Sequence, residues 1–202
     1  HEAQQTSNEK ISFKINMSDK IINTKFNSYN LKKFNTIDLT NGKAFDAIAS
    51  GYLEILGDKI LIVSGDGLVF YFNIDALHNS KFSAVKIENN LQEIIKFEEF
   101  FIKSKYGVKD IFVDKTKLYL SYSNILSNGC VNIKILVAEI NTKFLDFKNF
   151  FNPDDCVFKN NDYDSFNPHI AGGRITDFKD NKILFSTAAF GNSPLAQSDS
   201  SI

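Results

Sequence analysis

Apolar residues along the chain fall in short runs of strand length, and glycine, aspartate and asparagine separate the runs. Three of these runs lie at 52–56, 59–64 and 68–74. Gly57-Asp58 joins the first two, and Gly-Asp pairs favour the tight turns of β-hairpins. Residues 82–87 form a further run, so the sequence predicts a four-stranded antiparallel unit in this region.

The same pattern returns further along the chain. A second set of runs lies at 108–113, 117–122, 131–140 and 145–151, and a third set opens at 173–178 and 182–187. The spacing is roughly 40 to 50 residues or more, which suits one four-stranded blade with its loops. The pattern therefore predicts an all-β chain that forms part of a β-propeller of four-stranded antiparallel blades, about six blades when complete.

The predicted organisation is a lead-in segment at 1–30 and a partial propeller at 31–202. About two and a half blades are expected, approximately at 43–90, 105–152 and, incompletely, 170–202. The lead-in is expected to hold a short strand near 11–15 and irregular surface chain. Residues 91–102 fit a helical face and a buried strand equally well, and we expect an extended or short helical connector there.

Composition narrows the functional classes. With 202 residues, 43% of them apolar, the chain can bury a sizeable core. Its formal charge of -1, without long basic runs, disfavours nucleic-acid binding. Apolar runs stay well below the ~20 residues of a transmembrane helix. The chain begins at His1 rather than Met, which suggests a removed leader and export to the periplasm, the cell surface or the medium.

Cys130 and Cys156 each lie beside a turn. A disulfide between them would close a loop of medium length in an oxidising compartment. The alternative is that both are small buried apolar residues in neighbouring strands. Two thiols without a nearby His do not supply the four ligands of a zinc site.

Residues 169–175 read His-Ile-Ala-Gly-Gly-Arg-Ile and are followed by a turn at 180–182 and a strand at 183–187. This stretch resembles the glucose/sorbosone dehydrogenase family, soluble sugar dehydrogenases that use pyrroloquinoline quinone. Residues 107–114 and 117–123 are similar to two further family segments, a Gly-Leu-x-Asp turn and a Tyr-x-Ser-Tyr strand. The resemblance runs from Gly107 to the end of the chain, roughly half of it.

The resemblance implies roles for two residues. His169 matches the family's general base, which takes a proton from the sugar hydroxyl while a hydride passes to the quinone; an imidazole is mostly neutral near pH 7 and suits that role. The alternative is a loop His without a catalytic role. Arg174 could bind the quinone carboxylates, or it could tie adjacent blades through an Asp or backbone carbonyls. The family's Ca²⁺ and most of its quinone ligands would lie beyond Ile202.

Other positions depart from the family pattern. One extra residue separates His169 from Arg174, Lys105 stands where a Gln is common, and 188–190 read Ala-Ala-Phe in place of Gly-Asp. Asp110 and Asp114 bracket a short strand on one face, and we expect them to cap turns.

Two functions remain open. The first is an exported sugar dehydrogenase that uses pyrroloquinoline quinone and Ca²⁺ and oxidises a sugar. The second is a non-catalytic propeller that binds glycans or proteins or builds a surface assembly. In both, the remaining blades would come from the same longer polypeptide or from a partner chain.

Overall fold

The computed structural model describes residues 10–36, 51–65, 67–79, 81–95, 107–127, 129–158, 167 and 170–191. Most of these residues lie in β-strands of three sheets, and nearly all of the strand pairs are antiparallel. The all-β class predicted from the alternating runs is therefore confirmed. Ring closure and the number of blades stay predictions.

The first sheet has the strand order β2-β1-β6-β5-β4-β3, and β10 joins it by a parallel pairing with β6. Its strands are β1 (Lys10–Asn23), β2 (Ser28–Thr36), β3 (Gly51–Leu56), β4 (Lys59–Ser64), β5 (Val69–Asn73), β6 (Lys81–Asn89) and β10 (Phe144–Leu145). A 3-10 helix at Ile74–His78 links β5 to β6. The four predicted strands of this region correspond to β3 through β6.

The segment predicted as lead-in chain is more regular than expected. β1 continues past the expected short strand at 11–15 to Asn23, and β2 follows after a tight turn. Lys10–Lys14 of β1 pair with β6, so this hairpin extends the first sheet at the edge opposite β3. The backbone pairing with β6 decides this arrangement, which local alternation could not reveal.

The second sheet has the order β11-β9-β8-β7, and β12 pairs with β9. Its strands are β7 (Val108–Asp114), β8 (Lys117–Ile125), β9 (Cys130–Glu139), β11 (Lys148–Phe151) and β12 (Val157–Phe158). The third sheet consists of β13 (Gly172–Phe178) and β14 (Lys182–Thr187). Between the first two sheets lies α1 (Leu91–Ile94), one helical turn within the ambiguous connector; residues 96–102 lie outside the described part of the chain.

The three sheets stack face to face, with the second in the middle. Leu61 and Val63 of β4 pack against Leu118 and Leu120 of β8 in the largest buried cluster. On the opposite face of the second sheet, Tyr119 and Ile135 pack against Ile175 of the third. Because the middle sheet is covered on both faces, most residues of β8 and β9 are buried, and exposure does not alternate along these strands.

Cys130 and Cys156 form a disulfide, with their Cα atoms 5.6 Å apart. The bond joins the first residue of β9 to the residue that precedes β12, whose strand pairs with the start of β9. Of the two alternatives drawn from the sequence, the structure has the disulfide. Within the described ranges, no helix is long and apolar enough to cross a membrane.

Candidate functional site

One edge strand from each of the three sheets meets the others at one side of the stack. β3 and β13 both contact β7, and each of these three strands lies at the edge of its sheet. The Tyr52 hydroxyl on β3 donates a hydrogen bond to the Val108 carbonyl on β7 at 2.9 Å. Charged side chains from all three strands are brought together here, which makes this edge the candidate site.

Asp110 on β7 is the buried anchor of the site, with a relative exposure of 4%. Its Oδ2 accepts a hydrogen bond of 2.8 Å from the backbone N–H of Ile175 on β13. The same oxygen lies 3.5 Å from Nε of Arg174. A buried carboxylate is stable only with such donors. The expectation that Asp110 caps a turn is therefore wrong: it lies within β7 and ties the second sheet to the third.

Arg174 extends from β13 with its side chain 80% exposed. Its ion pair with Asp110 matches one of the two roles considered from the sequence, a tie between adjacent sheets. A guanidinium carries five N–H donors, and the nitrogen nearest Asp110 is Nε. The two terminal guanidinium nitrogens are therefore suited to bind an anion from solvent. The Nε end of the side chain is held beside the buried Asp110 carboxylate.

The glycine pair before Arg174 allows the third sheet to approach the second. A Cβ on Gly173 would lie 2.5 Å from the Cβ of Lys109, and the residue has a φ of +106°. The Gly173 carbonyl accepts a hydrogen bond from the buried Ser121 hydroxyl of β8. Gly172 is crowded by the backbone after Thr187. Both glycines therefore have a positive φ and are closely approached by neighbouring chain, which only glycine tolerates.

Two residues of β3 belong to the site although the sequence analysis did not select them. Burial raises the pKa of the Glu54 carboxyl, and the negative charge of Asp110 raises it further. The positive charge of Arg174 lowers the same pKa and partly offsets this shift. Burial and the Asp110 charge also raise the pKa of Tyr52 to about 12. One signal was available in the sequence, because Glu54 is the only charged residue in the apolar run 52–56.

Lys109 is a third residue that the sequence analysis missed. Its stem lies against Gly173, and burial lowers the pKa of its amine to about 8. An amine with this pKa is partly neutral in mildly alkaline solution. This part of the molecule thus combines one buried carboxylate, one mostly exposed guanidinium and one half-buried lysine.

His169 and Lys105 lie outside the described residues. The chain that follows His169 is well anchored: the Ala171 carbonyl accepts a hydrogen bond of 2.8 Å from the Ala188 N–H. Phe190, within the Ala-Ala-Phe segment, is buried in a cluster with Val131 and Ala171. The catalytic role of His169 stays a prediction.

In the part of the chain that the structure describes, no three His, Cys, Asp or Glu side chains are grouped to hold a metal ion. The family resemblance implies calcium ligands beyond Ile202, and that expectation remains a prediction.

Comparison with known proteins identifies a similar fold. No protein-family model matches the sequence, and no curated protein matches it. One solved structure, a glucose dehydrogenase, superposes with a TM-score of 0.52 at 13% identity over 75% of this chain and 44% of the other. The fold resembles that of glucose dehydrogenase. A second structure, titled "Crystal structure of glucose dehydrogenase", gives 0.50 and 14% over 73% of this chain and 40% of its own.

This glucose-dehydrogenase-like fold supports a distant relation to the proteins that the sequence resembles. The chain spans less than half the length of both structures. At such low identity the similarity extends to the fold alone. The activity, cofactor and substrate of this chain are therefore proposed separately below.

Proposed function

We propose that this chain is part of an exported sugar-dehydrogenase-like β-propeller, and that Arg174 binds an anionic group of its small-molecule cofactor. The observation that carries the proposal is the Arg174 guanidinium, 80% exposed yet paired with the buried Asp110 where the edge strands β3, β7 and β13 meet. An arginine fixed at Nε keeps its terminal nitrogens for a two-point contact with a carboxylate.

Pyrroloquinoline quinone suits this guanidinium because it carries carboxylates. Residues described here would hold only that anionic part, through Arg174. When bound, the quinone would accept a hydride from a sugar. His169 would take the proton from the sugar hydroxyl, as the family resemblance implies. The Ca²⁺ would be held by residues outside those described.

The exposed faces of the stack support the idea of further blades. Leu53 and Ile55 of β3 are 66% and 68% exposed on the outer face of the first sheet. Phe178 and Leu184 are exposed on the outer face of the third. Blades from the same longer polypeptide, or from a partner chain, would cover these apolar residues. The disulfide suits an oxidising compartment and hence export.

The test is a titration of the complete protein with pyrroloquinoline quinone in the presence of Ca²⁺, followed by absorbance. We expect saturable binding that weakens at least about ten-fold in Arg174→Gln, because a charge-assisted contact is lost. Lys182→Gln, an exposed lysine on the neighbouring strand, is the matched control and should bind normally. Absence of saturable binding overturns the cofactor proposal. If the quinone binds, glucose oxidation with a dye acceptor should disappear in His169→Ala.

A non-catalytic propeller that binds glycans or proteins is the second candidate. Phe190 favours it, since this apolar side chain is buried where the resembling family has Gly-Asp at the end of the strand. This candidate predicts glycan binding without quinone binding. A glycan array probed with the complete protein, together with the quinone titration, separates the two functions.

A further inference from the structure

The first hairpin projects beyond the sheet to which it belongs. β1 pairs with β6 only from Lys10 to Lys14, whereas its pairing with β2 runs from Ile15↔Thr36 to Asn23↔Ser28. We call residues 15–36 the arm. An isolated two-stranded hairpin is marginally stable in water, so a long projecting one suggests a surface on which it rests.

The arm presents apolar side chains to solvent. All residues from 18 to 32 are exposed, and Phe26 at the tip is 83% exposed. The exposed large apolar residues of the arm are Ile21, Ile22, Phe26, Tyr29 and Leu31. Such a concentration of apolar side chains on one projecting element is typical of an interaction site.

The arm is also strongly basic. Residues 15–36 contain four lysines and one aspartate, a formal charge of +3. Because the whole chain carries -1, the remainder carries -4 (-1 minus +3). This asymmetry favours an anionic partner for the hairpin.

We propose that the arm docks on an anionic phospholipid surface, with Phe26 and its neighbours in the interfacial region. The strand register places Ile22 beside Tyr29 on one face and Ile21 beside Asn30 on the other. A folded protein partner would cover one face of the hairpin and leave the other in water. A bilayer interface surrounds the tip on all sides, and tyrosine and lysine suit its headgroup level.

The turn at the tip is closed by its own hydrogen bonds. The Thr24 N–H donates to the Asn27 carbonyl at 2.8 Å, and the Asn27 N–H donates to the Thr24 hydroxyl at 3.0 Å. The Ser28 hydroxyl donates to the Asn23 side-chain oxygen at 2.7 Å. Because these groups are satisfied internally, they do not add to the cost of placing the tip in the interfacial region. The Lys25 amine lies 5.5 Å from the centre of the Phe26 ring, which brings a cation to the same point.

A second copy of the chain fits the arm less well. β2 (Ser28–Thr36) lies at the edge of its sheet and could pair with β2 of another molecule. In a full antiparallel overlap its central residue, Lys32, would lie opposite Lys32 of the second copy. Like charges directly opposite destabilise strand pairing, and edge lysines commonly prevent it.

The experiment measures co-sedimentation of the complete protein with vesicles of phosphatidylcholine containing 30% phosphatidylserine. Each lysine near an anionic surface contributes about five-fold in partitioning, so Lys20→Gln/Lys25→Gln/Lys32→Gln should bind on the order of 100-fold more weakly. Phe26→Ser alone should lose roughly ten-fold, because it removes an inserted ring. Added salt should weaken binding of the unaltered protein.

The control variant is Lys143→Gln/Lys179→Gln/Lys182→Gln, which changes net charge equally at exposed sites far from the arm. It should bind like the unaltered protein. Equal losses in both triple variants, or no binding to the anionic vesicles, overturn the proposal. So does an arm-dependent dimer in sedimentation velocity that forms without lipid. Both triple variants alter only exposed side chains, and circular dichroism checks that they fold.

Discussion

The Asp110 carboxylate and the Ile175 backbone N–H, 65 residues apart in sequence, form a buried hydrogen bond of 2.8 Å between the second and third sheets. This contact fixes how β13 lies against β7. It also fixes the start of the Arg174 side chain, because Arg174 directly precedes Ile175 and contacts the same carboxylate oxygen. The position of the proposed cofactor contact therefore depends on a bond that joins two sheets.

Asp110→Ala should destabilise the fold by about 2–3 kcal/mol, since the buried Ile175 N–H loses its acceptor. Asp114→Ala on the same face of β7 is the matched control, because Asp114 is less buried. Urea unfolding monitored by circular dichroism measures both. Equal stability losses would mean that the Ile175 bond contributes nothing specific.

Gly173→Ala should be severely destabilising, on the order of 3 kcal/mol or more. The new methyl would lie 2.5 Å from the Lys109 Cβ at a φ of +106°. Gly57→Ala in the β3–β4 turn also has a positive φ but meets nothing within 4 Å, so only the conformational cost of about 1–2 kcal/mol remains. Thermal or urea unfolding should rank the two variants in that order, and the reverse order would contradict the close-packing argument.

Reduction of the Cys130–Cys156 bond should lower the free energy of unfolding by about 3.5 kcal/mol, from the loop-closure entropy of a 26-residue separation. Urea midpoints with and without dithiothreitol measure the change. Cys156→Ser should already unfold at the lower midpoint and should not respond to dithiothreitol. A response in that variant would show that the reductant acts by another route, since the chain has two cysteines.

Stability should rise with pH between about 8 and 10, because burial lowers the pKa of Lys109 to about 8 from 10.5. Over that interval the unfolded chain binds more protons than the folded one, so raising the pH favours the fold, by about 2 kcal/mol from pH 7.5 to 9.5. Above pH 10 the trend should reverse, because Tyr52 and Tyr122 have pKa values raised to about 12 and ionise first in the unfolded chain.

Lys109→Met tests the origin of this rise. The variant keeps an apolar stem against Gly173 and removes the titrating amine, so the rise from pH 7.5 to 9.5 should vanish. Lys182→Met at an exposed position should keep it. Urea unfolding across this pH range provides the measurement, and an unchanged slope in Lys109→Met would assign the rise to another group.

Much of the strand pattern could be predicted because it is local. Gly57-Asp58 and the apolar runs beside it correspond to the β3–β4 hairpin, and the runs at 108–113 and 117–122 correspond to β7 and β8. The roles of Asp110, Glu54 and Lys109 could not be predicted, because each depends on a partner from another sheet.

By itself, the sequence determined the all-β class, the strand-and-turn repeat, the two alternatives for the cysteine pair and the resemblance around Arg174. Alternation and turn chemistry act over a few residues, so they can be read along the chain. Only the tertiary structure decided that Cys130 bonds Cys156, that Asp110 ties two sheets and that the first hairpin projects as an arm. These features depend on packing between segments far apart in sequence, where burial and close approach select the partner.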